Sequence, residues 1–416
     1  MHHTIKQIYK SSALAVIVIG NLAAMNLTNL RFAYIRPTFH GDKRVQLDVL
    51  AEHGFRTRAY DDCGFCANPL RMWNKEQDAL KMLEGFPDGS AIGLLNTRIG
   101  ANDDGIRGHF LTHGKLDLDY NLNFAARWRF AQNFIIGAYL PVCSMRLHDV
   151  RWTDLTESVQ DQDLRVKDLL TNNFTANVAE LGGLFIGNWH RHGLGDLLLL
   201  TEWLADFPQQ KPMLRNVHLN ARLGMTLPSG LKQNEDLLLA LPFGYDGSVG
   251  LIFAGGLDAF LGDYLQTGFD VELVHVFGNT RDRRIKVDPA QTSLLLLAKV
   301  PAYRDWGLTQ RFNLYLQFNR ILPGFSAKFD YQFVRHGEDA LVLTTQQYSN
   351  NVANLDPRLE GWTTHEAIFN FTYDFAELMA PQARAKPYLT FFAKTPFNGK
   401  QSVIFSTVGA VVAVDF

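Results

Sequence analysis

The chain has 416 residues, 47% of them hydrophobic and 20% charged, with a formal net charge of −2 at pH 7. That balance excludes a disordered chain. With no cluster of Lys and Arg, it also gives no footprint for nucleic acid.

The N-terminus "MHHTIKQIYK" carries Lys6 and Lys10, and the apolar run "SSALAVIVIGNLAA" follows it. A basic start, a short apolar run and small residues at its end read as a secretory signal over 1–25, with cleavage near Ala24 or Asn26. The other reading is a membrane anchor, but the run falls short of the ~20 apolar residues a helical span needs. Residues 26–416 then form one exported domain, with insertions at 61–107 and 148–194. The first insertion opens on "CGFC", which sets Cys63 and Cys66 three apart. In an exported protein that spacing suits a small disulfide loop, with two free thiols or a redox or metal pair as the alternatives.

From there the dominant signal is period two. "KLDLDYNLNFAARWRF" puts Leu116, Leu118, Tyr120, Leu122, Phe124, Ala126, Trp128 and Phe130 on one face and Lys115, Asp117, Asp119, Arg127 and Arg129 on the other. "NVHLNARLGM" opposes Leu219 and Leu223 to Asn220 and Arg222. "QTGFDVELVHVF" opposes Phe269, Val271 and Leu273 to Asp270 and Glu272. "LTQRFNLYLQFNR" opposes Phe312, Leu314 and Leu316 to Arg311, Asn313 and Tyr315. Lys328 and Asp330 fall on the polar face of the next segment.

Such segments number about fourteen: 44–60, 108–130, 133–147, 195–206, 213–227, 250–261, 264–278, 290–302, 307–320, 324–336, 340–348, 363–376, 384–396 and 402–416. The weakest are 44–60 and 340–348, and without them the count is twelve. Several exceed the ~5–6 residues usual for soluble strands and match the ~9–11 of a tilted membrane strand. Thirty Phe and thirteen Tyr supply the aromatic girdles such strands carry. In lipid every backbone polar group must be satisfied internally, so the sheet must close. The fold class is therefore all-β: a transmembrane antiparallel β-barrel of about 14 strands, or 12. Short turns at 131–133, 208–212, 262–264, 303–307 and 336–338 alternate with longer connections.

Helical patterning is confined to the insertions. It covers 68–86, with Leu70, Trp73, Leu80 and Leu83, and again 171–189, with Asn172 or Asn173 as the cap. These are loop helices folded over the barrel mouth, or a plug that gates it. The lumen is then lined by Lys115, Asp117, Asp119, Arg127, Arg129, Arg222, Asp270, Glu272, Arg311, Lys328 and Asp330. Mixed charges there either pair and pack the interior or line a path and set its selectivity.

Motifs for catalysis are missing. There is no Gly-x-Ser-x-Gly elbow, no His-Glu-x-x-His and no phosphate-cradling Gly loop after a strand. His190 and His192 stand two apart without a third ligand, a loop pair before a metal pair. No catalytic residue, metal or cofactor is assigned. A Ser, His and acid gathered on the lipid-facing rim would instead indicate a lipid-modifying enzyme. Paired charges with no passage would indicate a closed structural or adhesive barrel.

The chain ends "STVGAVVAVDF". Phe416, with Val414, Val412 and Val408 at every second or fourth position before it, resembles the C-terminal signature of bacterial outer-membrane barrels. That resemblance implies a bacterial outer membrane, with lipid around the barrel and assembly machinery that reads the last strand. "GLGDLLLLTEWL" and "LNARLGMTLPSG" are similar to motifs of the outer-membrane transporters associated with phenol and aromatic-compound degradation, distantly allied to the long-chain fatty-acid transporter group. The matching residues are Gly193, Gly195, Asp196, Leu227, Pro228, Ser229 and Gly230, within roughly 190–335. The Asn-Pro-Ala-Gly segment of the fatty-acid transporters is missing. The resemblance implies passive uptake of small, hydrophobic or aromatic molecules, with no cofactor and no nucleic-acid partner.

Overall fold

The computed structural model describes residues 39–380 and 383–416, and the signal-like segment 1–25 lies outside the described residues. Twelve long strands follow one another: β1 (Val45–Tyr60), β2 (His109–Ala131), β3 (Phe134–Asp154), β4 (Leu197–Pro208), β5 (Leu214–Leu227), β6 (Gly250–Leu261), β7 (Leu265–Val276), β8 (Thr309–Leu322), β9 (Phe325–His336), β10 (Thr363–Asp374), β11 (Lys386–Lys400) and β12 (Ser402–Asp415). Each pairs antiparallel with the next. β1 pairs with both β2 and β12, from Val45↔Trp128 on one edge to Gln46↔Asp415 on the other, so the sheet closes.

The count is the smaller of the two expected, and the reason lies in two segments. Residues 290–302 contain the run Leu294–Ala298, which is buried at every position and lacks alternation. It belongs to the packed interior of the outer loops. Only Lys299–Asp305 is extended there, and it joins Ala340–Leu343 and Asn279–Arg284 in a separate three-stranded sheet. The weak candidate 44–60, by contrast, is the strand that closes the barrel.

At one end of the barrel the connections are brief, as at 132–133, 209–213, 262–264 and 323–324. Gly262 and Gly324 turn the chain there at φ 64° and 72°. Residues 303–307 and 336–338 belong to the opposite end, in the outer connections, because the strands expected around them lie outside the barrel. That end carries the insertions 61–108, 155–196, 228–249, 277–308 and 337–362.

The outward face is apolar. Leu47, Val49, Phe124, Trp128, Ile136, Leu223, Phe253, Phe269, Leu314, Phe329, Phe369, Phe391 and Val412 are all exposed. A water-soluble protein does not leave a contiguous band of this kind bare, whereas lipid solvates it. Among the described residues no helix is long and apolar enough to cross a membrane.

One irregularity reverses part of the sequence reading. The β2–β3 register slips between Leu118 and Tyr120. A bulge inserts one residue, so the alternation changes face across it. Beyond it Leu116 and Leu118 turn inward and are fully buried, while Lys115, Asp117 and Asp119 turn outward. The ladder between β1 and β2 ends at Glu52↔Asn121, just short of the bulge, and β1 shifts register against β12 after Gly54. A Cβ on Gly54 would lie 2.9 Å from the Leu118 carbonyl oxygen.

The loops build an apolar plug at the outer mouth. Leu70, Met82, Leu83, Ile99, Val178, Ile186 and Leu295 pack with the inward residues Leu116, Leu118, Met145 and Leu147 of β2 and β3. The helix expected at 68–86 is only two 3₁₀ turns, Pro69–Arg71 and Lys81–Leu83. Asn68 and Asp78 draw nearby backbone N–H groups to their side chains and break the pattern. The first α-helix among the described residues is α1 (Ala91–Ile99), where Ser90 Oγ accepts from Gly93 N at 3.0 Å and Gly100 closes the end at φ 51°. α2 (Asp161–Val166) follows, then α3 (Phe174–Gly182), which has Asn173 at its N-cap as expected.

Candidate functional site: the barrel lumen

Residues paired across neighbouring strands share a face, so the pairings place the lumen residues. Arg127 opposes Gly137 of β3, Arg129 and Glu202 both oppose Ile135, and Glu202 opposes Arg222. Further round, Glu272 opposes Arg311 and Tyr315 opposes Asp330. Arg127, Arg129, Arg222, Asp270, Glu272, Arg311, Lys328 and Asp330 therefore all point inward. Lys115, Asp117 and Asp119 do not, for the reason given by the bulge.

The inward charges form pairs at mid-barrel. Arg222 bonds both oxygens of Asp270. Arg311 Nη1 meets Glu272 Oε1 at 3.2 Å, and Arg127 Nη2 meets Glu202 Oε1 at 3.2 Å. Lys328 Nζ lies 2.9 Å from Asp330 and 4.2 Å above the Tyr315 ring. Asn313 and Asn370 donate to the two oxygens of Asp330 at 3.0 and 2.7 Å. Charge in a low-dielectric wall is costly unless paired or wet, and these are paired.

Sequence reading missed Asp48, Glu52, Glu202, Glu366 and Lys394, all buried and inward. The signal for the first two was present. "VQLDVLAE" alternates Val45, Leu47 and Val49 against Gln46, Asp48 and Leu50. Neither carboxylate oxygen of Asp48 is hydrogen-bonded, and the same holds for Glu52 Oε1, both amide atoms of Asn220 and the Tyr388 hydroxyl. These polar atoms lack partners among the described residues and give the interior a polar, hydrogen-bonding lining. Buried acids also outnumber buried Arg and Lys in this zone.

Below the charged zone, toward the short-turn end, lies a cavity of about 690 Å³ lined by Arg127, Glu202, Arg222, Asp258, Tyr315 and Tyr388, among others. Phe39 enters it from the N-terminal side, with Arg129 4.5 Å and Arg127 5.2 Å from its ring centre. His40 is fixed between Asp415 and Asp374, each 2.8 Å away. Those two carboxylates hold its imidazole protonated and raise its pKa to about 9. Above the charged zone the plug encloses a smaller cavity of about 80 Å³. Its walls mix apolar side chains, among them Trp73, Leu184 and Leu294, with charged ones, among them Glu235, Asp356, Arg283, Arg284, Arg304 and Arg358.

The Gly193–Gly230 motif is a clamp on the outer loop. Asp196 is fully buried and accepts from Gly230 N at 2.9 Å and Tyr245 N at 2.6 Å. Burial lifts its pKa to about 6. Ser229 Oγ accepts from Leu197 N at 2.8 Å and donates to Gly195 O at 3.1 Å. A Cβ on Gly195 would strike Pro141 at 2.5 Å, and one on Gly230 would strike the Phe243 carbonyl at 2.3 Å. Pro228 leads into this turn.

On the outer face beyond the apolar band, Asp117 meets His148 at 2.7 Å and Lys115 meets Asp149 at 2.8 Å. Ser144 Oγ lies 2.9 Å from His190 Nε2. Asp119 Oδ2 sits 3.3 Å from that same nitrogen, so the acid does not orient the ring from its far side as a Ser-His-acid relay requires. Ser144 is also only 1% exposed. Cys63 and Cys66 are exposed free thiols in a tight outer turn, and Cys143 is a buried one. Phe416, Val412 and Val408 face outward on the last strand.

A closed sheet with an apolar exterior and a charged interior defines the chain as a transmembrane β-barrel. No protein-family model matches it, and no curated protein does. Among solved structures it is similar to an outer-membrane channel from Pseudomonas putida F1, 13% identical, covering 92% of this chain and 100% of that one at TM-score 0.48. It is also similar to the toluene transporter TbuX of Ralstonia pickettii, 10% identical, covering 90% of each chain at TM-score 0.33. The Pseudomonas putida toluene transporter TodX is 9% identical over 90% of each chain, at TM-score 0.35. These likenesses are remote, and the functional reading rests on this chain's own residues.

Proposed function

We propose that the protein is a passive channel of a bacterial outer membrane that admits small molecules through the barrel. The observation that supports this best is the polar, charged interior around Asp48, Arg222 and Asp270, with a cavity of about 690 Å³ beside it, enclosed by a lipid-facing exterior. An interior built only to hold the barrel together would be served equally well by apolar packing. The cavity in the plug sets Trp73 and several leucines beside arginines and carboxylates, a mixed lining that suits amphipathic solutes at the outer entrance. The surplus of lumen carboxylates favours cations over anions below it. The terminal strand, with Phe416, Val414 and Val412, presents the assembly signal to the insertion machinery.

The test is liposome uptake. Vesicles carrying the refolded protein should take up a small aromatic amine faster than an aromatic carboxylate of the same size. Equal and negligible uptake of both by folded protein would contradict the reading.

The second reading, hydrolysis at the outer rim, is favoured by the single contact between Ser144 and His190. It predicts ester cleavage that Ser144→Ala abolishes. The shared nitrogen and buried serine argue for a structural hydrogen bond, under which neither the wild type nor the variant cleaves esters.

A further inference from the structure

His109 opens β2 at the outer mouth and faces three carboxylates. Its Nδ1 lies 3.0 Å from Glu76 Oε2, which fixes a proton on that nitrogen, so that the neutral ring presents its Nε2 lone pair. Nε2 is shut off from solvent and has no hydrogen-bond partner. It points between Asp78 Oδ2 at 3.4 Å and Asp103 Oδ1 at 3.6 Å. The Asp78 side chain is only 7% exposed, and its other oxygen is occupied by Leu80 N and Lys81 N.

We propose that Asp78, Asp103 and His109 form a binding site for a divalent transition-metal ion of the zinc class. Three observations converge on it. The ligand atoms lie within 4.8 Å of one another. Separations of 3.4 and 3.6 Å are long for hydrogen bonds. They are close to the ~3.4 Å edge of a tetrahedron with metal bonds of ~2.0–2.1 Å.

Charge supplies the second line. Glu76, Asp78 and Asp103 gather around one imidazole, and the nearest ammonium, Lys81, is 3.0 Å from Glu84 and 3.7 Å from Asp103. A cation between the two aspartates relieves that excess.

The third line is the carboxylate behind the histidine. Glu76 on Nδ1 is the outer-shell partner that orients metal-bound imidazoles and raises their basicity. The mixed nitrogen and oxygen donors favour zinc-class ions over calcium or magnesium, which prefer all-oxygen shells. The three ligands come from the short strand Gln77–Asp78, the loop after α1 and the start of β2. A bound ion would therefore staple the plug to the barrel wall.

The experiment is calorimetric titration of Zn²⁺ into the chelator-treated, detergent-folded full chain, repeated with Ca²⁺. One Zn²⁺ per chain is expected, with weak or no Ca²⁺ binding. His109→Ala should abolish that binding while His148→Ala, on the outer face, leaves it intact. Glu76→Gln should weaken it by roughly tenfold or more. If His109→Ala fails to fold, Asp103→Asn, on a more open loop, serves in its place. Absence of stoichiometric Zn²⁺ binding, a preference for Ca²⁺, or binding unchanged in both ligand variants would overturn the site.

Discussion

His40 illustrates how single residues tie the barrel end together. It bridges the last residues of β10 and β12 through Asp374 and Asp415. With its pKa raised to about 9 in the folded state, it binds its proton more tightly there than in the unfolded chain. The stability it contributes is complete below the unfolded value near pH 6.5. It falls away as the pH rises through about 9. A proton NMR titration should place this imidazole near 9, and a midpoint near 6.5 would show that the bridge does not form. Asp48 is the corresponding residue of the lumen, with both oxygens buried and without a hydrogen bond among the described residues. Asp48→Asn should lower the cation-over-anion permeability ratio on the order of twofold without changing the folded yield. Reversal-potential measurements on the two proteins check this.

The strand is the scale at which the sequence was most legible and also where it misled. Arg222, Asp270, Glu272 and Arg311 were assigned to the lumen by alternation alone, because their strands run without interruption through the band. Lys115, Asp117 and Asp119 were assigned by the same rule, and the bulge after Leu118 turned them outward. Nothing in the alternation of 115–130 marks that bulge, which lies just beyond the last residue pair of β1 and β2. Gly54 is its one trace, small because the Leu118 backbone passes so close. Gly54→Val should therefore destabilise the barrel by about 1–3 kcal/mol, read as a lower denaturation midpoint. An unchanged midpoint would mean the strands can part there at no cost. The run Leu294–Ala298 misled differently. Five consecutive apolar residues fit a buried strand or a buried loop equally well, and only the plug around them decides. Apolar spacing at 68–86 does not yield a helix because the Asn68 and Asp78 side chains compete locally for backbone N–H groups.

At the scale of the molecule the barrel is stratified. An apolar plug closes the outer mouth, a network of paired charges crosses the middle, and a cavity of about 690 Å³ opens toward the short-turn end. Alternation reveals that such a barrel has a polar interior. It does not reveal the plug, which comes from residues on five separate connections. From the outer mouth inward, apolar side chains with arginines among them give way to paired carboxylates and guanidinium groups. This layering also explains why the Asp196 clamp matters. Asp196→Ala leaves the N–H groups of Gly230 and Tyr245 without their acceptor. That loop should then become sensitive to limited proteolysis while the barrel remains folded.

Current through the refolded protein in a planar bilayer, recorded across a KCl gradient, tests the central claim most directly. A passive channel with an acid-rich lumen predicts discrete ohmic steps whose reversal potential favours K⁺ over Cl⁻. Folded protein that inserts but carries no current would mean that the plug seals the lumen and would contradict the proposal of a passive channel, and a reversal potential favouring Cl⁻ would contradict the role given to its carboxylates.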